Sequence, residues 1–133
     1  MDILKNGILT FITFIIVDYL WLGLIAKNFM SKQLSHIARM KGESISPFMP
    51  SGAAVYVAMT IALEFFVFNR GNADLLSLVM QGALLGFLIY SVFDFTNHAI
   101  LKNYPVPFMI VDITAGTTLF AIVTALSFWV RQI

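Results

Sequence analysis

The sequence predicts an all-α protein, a polytopic four-helix transmembrane bundle, and three observations carry that prediction. Of 133 residues, 59% are hydrophobic and only 11% charged, and the mean hydropathy is +0.88; about a quarter of the residues of an ordinary soluble domain are charged. The apolar residues gather into four runs, each near the roughly 20 residues a helix needs to cross a hydrocarbon core. Short polar stretches holding Pro, Gly and Asn separate the runs. Four spans occupy most of the chain, so residues 1–133 read as a single integral membrane domain, with any site in or beside the bilayer.

The first span runs over residues 8–26 and is interrupted by Thr10, Thr13 and Asp18. It lacks a small-residue cleavage site and continues through Trp21 and Leu22, so it reads as a span rather than a signal peptide. Residues 27–49 form the longest polar stretch, a loop with room for a short interfacial helix. Pro50 and Ser51 open the second span, 52–68, and Asn69, Arg70, Gly71 and Asn72 end it. The third covers 75–94. The fourth covers 107–130, after Pro105 and Pro107, where a missing amide hydrogen costs least. Gly82 and Gly86 form a small-xxx-small pair that suits close packing inside the bundle or, alternatively, a homodimer interface.

Charge orients the chain. Lys27, Lys32, Arg39, Lys41 and Lys102 fall on the side of the first and third loops, and Lys5, Arg70 and Arg131 on the other. Five against three puts the two loops in the cytoplasm and both termini outside. The formal charge of +1 comes from scattered residues, without the basic patch that a nucleic acid requires. The absence of cysteine excludes disulfides, thiolate metal sites and thiol nucleophiles.

Asp18, Glu64, Asp94 and Asp112 fall within or at the edge of the apolar runs, with no Lys or Arg beside them. An ionised acid at a helix centre costs on the order of 3 kcal/mol on insertion scales, so such groups are expected to be protonated, solvated or bound to a cation. In an alternating four-span chain, Asp18, Asp94 and Asp112 all approach the side of the first and third loops. They can therefore converge with Asn97 on one polar pocket. Glu64 belongs to the opposite side, where it is expected to reach the interface beside Asn69 and Arg70.

Tyr90, Asp94, Asn97 and His98 share a helix face at spacings of three and four. Asp94 and His98 can pair, relay a proton or supply two metal ligands, with Asp18 or Asp112 as a further ligand. Neither a metal nor a cofactor is named by this pattern. A Ser91, Asp94, His98 triad is disfavoured, because one helix poorly brings nucleophile and base together. The bland alternative is a hydrogen-bonded network of Asp18, Asp94, Asn97 and Asp112, with Thr114 and Tyr19, that fixes helix register. Trp21, Tyr104 and Trp129 read as an interfacial aromatic belt. Asp18-Tyr19 leading to Lys27-Asn28-Phe29, and Asp94-Phe95 leading to Lys102-Asn103-Tyr104, form a short match that fits either two related hairpins or chance.

The runs Asp18-Tyr19-Leu20-Trp21-Leu22-Gly23, Asp94-Phe95-Thr96-Asn97 and Asp112-Ile113-Thr114-Ala115-Gly116 resemble D-x-x-W-L-G, D-[LF]-T-N and D-I-x-x-G, the last following a proline. Together they resemble a bacterial family of small four-span membrane proteins, a domain of unknown function, over nearly the whole chain. The resemblance implies roles for the three aspartates and Asn97 rather than for His98, and an association with fatty-acyl modification. Three uses remain open: an enzyme or accessory factor acting on a lipid or small-molecule ligand, a small proton- or cation-coupled carrier, and a structural scaffold or subunit.

Overall fold

The computed structural model describes residues 2–71 and 73–133. Its helices are α1 (Ile3–Tyr19), α2 (Lys27–Leu34), α3 (Met49–Phe66), α4 (Leu75–Ile100) and α5 (Val106–Val130). Four are long and apolar enough to cross a membrane, over Ile3–Ile25, Met49–Arg70, Leu75–Ile100 and Val106–Val130.

Past Tyr19 the first helix widens over Leu20–Ile25, where the Ala26 amide donates to the Trp21 carbonyl five residues back, at 2.7 Å. Gly23 permits this segment to carry the Tyr19 ring, since a Cβ there would lie 3.0 Å from Tyr19 Cε2. The chain then folds into α2, which turns Lys27, Asn28 and Lys32 outward and buries Ser31. A small antiparallel ribbon follows, β1 (Met40–Lys41) against β2 (Ser44–Ile45), with Met40 opposite Ile45. It turns at Gly42, whose φ of 65° suits the first position of a two-residue hairpin. Strands of two residues are too short to leave an alternating pattern in the sequence.

Pro50 lies in the first turn of α3, and the helix tightens over Phe68–Arg70 before Gly71 at φ 85°. Asn72, read with these residues as the end of the second run, lies outside the described residues. Asp74 starts α4 by accepting from the Ser77 amide at 2.9 Å. This helix continues six residues beyond the expected limit at Asp94, to Ile100, because Thr96, Asn97 and His98 are polar but compatible with helix.

The α4–α5 hairpin is the closest pairing, and α1 packs on both α5 and α3. The small-xxx-small face lies inside this hairpin: a Cβ on Gly86 would stand 2.5 Å from the Gly116 carbonyl, and one on Gly82 would meet Thr124. Thr10, Phe14 and Asp18, spaced by four, form the buried stripe of α1. The Thr10 hydroxyl donates to Glu64 Oε1 at 2.6 Å and the Tyr56 hydroxyl donates to Asp18, so two bonds eight residues apart on each helix fix the antiparallel register of α1 and α3. Between them lies the apolar core of Phe14, Met59, Leu63, Val67, Leu78, Leu119, Phe120 and Val123. The Phe14 ring meets Phe120 edge-on at 5.0 Å.

Candidate functional site: a buried carboxyl and tyrosine layer

Two polar layers sit on either side of that core, and they differ in how their acids are neutralised. On the side of the chain termini, Arg131 Nη2 stands 2.6 Å from Glu64 Oε1 and 3.1 Å from the Thr10 hydroxyl. Its Nε donates to the Ser127 carbonyl at 3.0 Å, and its guanidinium lies 3.6 Å from the centroid of the Phe68 ring. Glu64 is therefore ion-paired across the bundle to Arg131. The expectation that it reaches the interface beside Asn69 and Arg70 is corrected, since both of those residues are exposed and the helix end of α5 brings a nearer guanidinium. Sequence order conceals this pair, whose members are 67 residues apart.

The other layer holds Asp18, Asp94 and Asp112. Asp94 lies six residues before the end of α4 and Asp112 six residues after the start of α5, so each is about 9 Å inside its helix end; Asp18, eight residues from Ala26, is about 12 Å inside. All three are buried, with exposures of 0% for Asp94, 6% for Asp18 and 7% for Asp112. Among the described residues the Glu64–Arg131 contact is the one ion pair, so these acids have no cationic partner.

Phenols take the place of cations. Tyr56 donates to Asp18 Oδ2 and Tyr104 donates to Asp94 Oδ1 at 2.8 Å. Tyr90, one turn before Asp94, and Asn97, three residues after it, are half-buried on the same face of α4. Asp94 and Asp112 face one another across the α4–α5 hairpin, close enough for their charges to interact. Asp94 Oδ2 has no hydrogen-bond partner among the described residues. Two acids side by side with no cation between them form a carboxyl dyad, an arrangement that one shared proton would satisfy. In the loop between the spans, burial and then its bond to Asp94 push the Tyr104 phenol above its ordinary value.

The structure thus brings Asp18, Asp94, Asn97 and Asp112 into one layer with Tyr90. It leaves others outside. His98 is exposed and makes no hydrogen bond among the described residues, because it lies one turn beyond Asp94 where α4 has left the bundle. Tyr19 is 62% exposed, and the Thr114 hydroxyl bonds back to the Ile110 carbonyl at 2.8 Å, so neither joins the expected network. Trp21 is half-buried and Trp129 exposed, as belt residues can be. Among the described residues, no three His, Cys, Asp or Glu side chains come close enough to hold one metal ion. Asp18 shares the layer of the dyad without joining a ligand set.

Tyr104, expected in the interfacial belt, is instead buried, because the turn before Pro105 folds it under α2. Tyr56 joins the layer from α3, and its signal in the sequence is the polar stripe of Tyr56, Thr60 and Glu64 at spacings of four on an otherwise apolar helix. The proposed repeat is not matched locally: Asn28 is helical, whereas Asn103 adopts a left-handed φ of 60°.

Four membrane-crossing helices enclosing an acid layer define a multi-pass membrane protein, embedded in a lipid bilayer. The chain belongs to the family described as predicted membrane protein (DUF2177), whose model matches residues 3–129. No curated protein and no solved structure matches it.

Proposed function

We propose that the protein is an inner-membrane enzyme, or an accessory factor of one, in lipid or fatty-acyl modification, with the Asp18, Asp94 and Asp112 layer exchanging a proton with a lipid-linked substrate. The observation that carries this reading is the contrast between the two polar layers. Glu64 is given a hydroxyl and a guanidinium that is itself seated on the Phe68 ring, as a structural acid in a membrane requires. The three aspartates are given only phenols and one another. A dyad with one mobile proton, held by hydroxyls that can donate or relay, suits general acid–base chemistry on a group brought within hydrogen-bond reach. In this reading the layer faces the cytoplasmic leaflet, the first and third loops are cytoplasmic, and both termini are outside.

The test compares whole-cell lipid profiles of the parent strain, a deletion, and deletions carrying wild-type, Asp94→Asn or Glu64→Gln protein at matched expression. The amide of Asp94→Asn still accepts from Tyr104 but cannot share the dyad proton. A lipid species lost on deletion should return with wild-type protein and with Glu64→Gln, but not with Asp94→Asn, while Glu64→Gln melts at the lower temperature of the two variants. Restoration by a stably folded Asp94→Asn would overturn the acid–base role in favour of a scaffold.

A further inference from the structure

Helix α2 lies outside the four membrane-crossing segments and outside the main core. It covers the loop-side end of the carboxyl layer instead. Its Met30 and Leu34 pack on Tyr104, Phe108 and Met109, an apolar cluster separate from the main one, and Ser31 of the same helix is buried. Tyr104 belongs to both sides of this contact. Its ring meets Phe108 edge-on at 5.6 Å and supports α2, while its hydroxyl donates to Asp94 Oδ1 at 2.8 Å. The side chain that α2 covers is therefore the one that reaches Asp94 from the loop.

The cover is placed over the acids that lack a cation. Glu64 and Arg131, which neutralise each other, keep 20% and 16% of their side-chain surface, whereas Asp94 keeps none. Yet little holds α2 down. The connector Leu20–Ile25 is wound wider than an α-helix and has no buried residue, and the chain bends at Ala26. Among the described residues, no side-chain hydrogen bond or ion pair ties Lys27–Leu34 to the bundle. The nearest polar tie is an exposed one, His36 Nε2 at 2.7 Å from the Asn103 carbonyl oxygen, between the first loop and the third. An element held by a few apolar side chains and an exposed hydrogen bond opens at a lower free energy than the whole bundle unfolds.

We propose that α2 is a lid, which swings about Ala26 away from Tyr104 and Phe108, releases the His36 contact, and opens a route from water to Asp94 along the Tyr104 phenol. The use of such a lid rests on the acid–base reading above, since a layer that gives a proton to a substrate recovers it from water, but the movement does not. With the lid open, a hydronium ion at the Tyr104 hydroxyl passes a proton to the phenol oxygen as the phenol passes its own to Asp94 Oδ1. Water and a neutral phenol remain, and Asp94 is protonated. With the lid shut, the proton stays in the layer.

The chain has no cysteine, so introduced cysteines report on the lid without background. In whole protein purified in mild detergent, Ser31→Cys should react with a water-soluble maleimide at least about tenfold more slowly than Ser35→Cys, whose position is exposed. Adding His36→Ala should speed Ser31→Cys several-fold and leave Ser35→Cys unchanged, at matched melting temperatures. In a second experiment, Met30→Cys is joined to Phe108→Cys by a short bifunctional thiol reagent. Amide labelling of Asp94 by a water-soluble carbodiimide and an amine, read by peptide mass spectrometry, should then fall several-fold, while the exposed Asp74 is labelled as before. Ser31→Cys that reacts as fast as Ser35→Cys, that never reacts, or that ignores His36→Ala overturns the lid, as does equal labelling of Asp94 with α2 free and joined. A gated Ser31→Cys alongside full complementation by Asp94→Asn would leave the lid and remove the acid–base layer. An ungated one alongside failed complementation would do the reverse.

Discussion

A carboxyl group in a membrane is described by what neutralises it, and here the acids of one bundle meet opposite fates. Glu64 is held by Arg131 and Thr10, whereas Asp94 has a phenol on one oxygen and, among the described residues, no hydrogen-bond partner on the other. Tyr104 is where this arrangement reaches the loop and can be titrated. Its phenol is protonated in folded and unfolded chains below pH about 10; above that the unfolded chain releases the proton while the folded one holds it, so stability falls as pH rises. Melting temperature in detergent should therefore drop above pH about 10 in wild-type protein, and less steeply in Tyr104→Phe. Equal slopes would mean that Tyr104 is not held by Asp94. At neutral pH Tyr104→Phe should cost about 1–3 kcal/mol, since it leaves a buried acceptor without its donor.

Among the elements, the α4–α5 hairpin determines the geometry of the dyad. Asp94 and Asp112 meet because Gly86 and Gly116 let the two backbones come together, and a Cβ on Gly116 would fall within the Tyr90 ring. Gly86→Ala places its methyl against the Gly116 carbonyl, which cannot move away like a side chain, and should destabilise by about 1–3 kcal/mol. Gly7→Ala, which meets nothing within 4 Å, should be neutral or slightly stabilising through helix propensity. Thermal unfolding of the two variants measures the difference, and similar melting temperatures would contradict the close approach. The short helix α2 has a different role: it is amphipathic, closes the water-facing end, and brings no acid of its own.

At the scale of the whole molecule, the two polar layers and the apolar core between them give the bundle two unlike ends. The loop side carries five of the eight Lys and Arg residues together with the aspartate layer. The basic excess predicts that this side is cytoplasmic. Alkaline phosphatase fused after Ile133 should then be active and a green fluorescent protein fused there dark; the reverse pattern would place the layer in the outer leaflet.

The sequence by itself determined the four spans, because a bilayer accepts only segments that are long, apolar and able to satisfy their own backbone. It also determined the shared depth of Asp18, Asp94 and Asp112, since helix rise and alternating direction turn residue number into depth. Tertiary structure decided the partners. Which donor faces each acid depends on helix rotation and on pairs distant in sequence, as with Tyr56 and Asp18, Arg131 and Glu64, or Asp94 and Asp112. Hydropathy records that a residue lies in the membrane and at what depth, but not which neighbour it faces there. That is why His98, adjacent in pattern to Asp94, is turned out of the site, while Tyr104, placed by its position at the membrane edge, is turned into it.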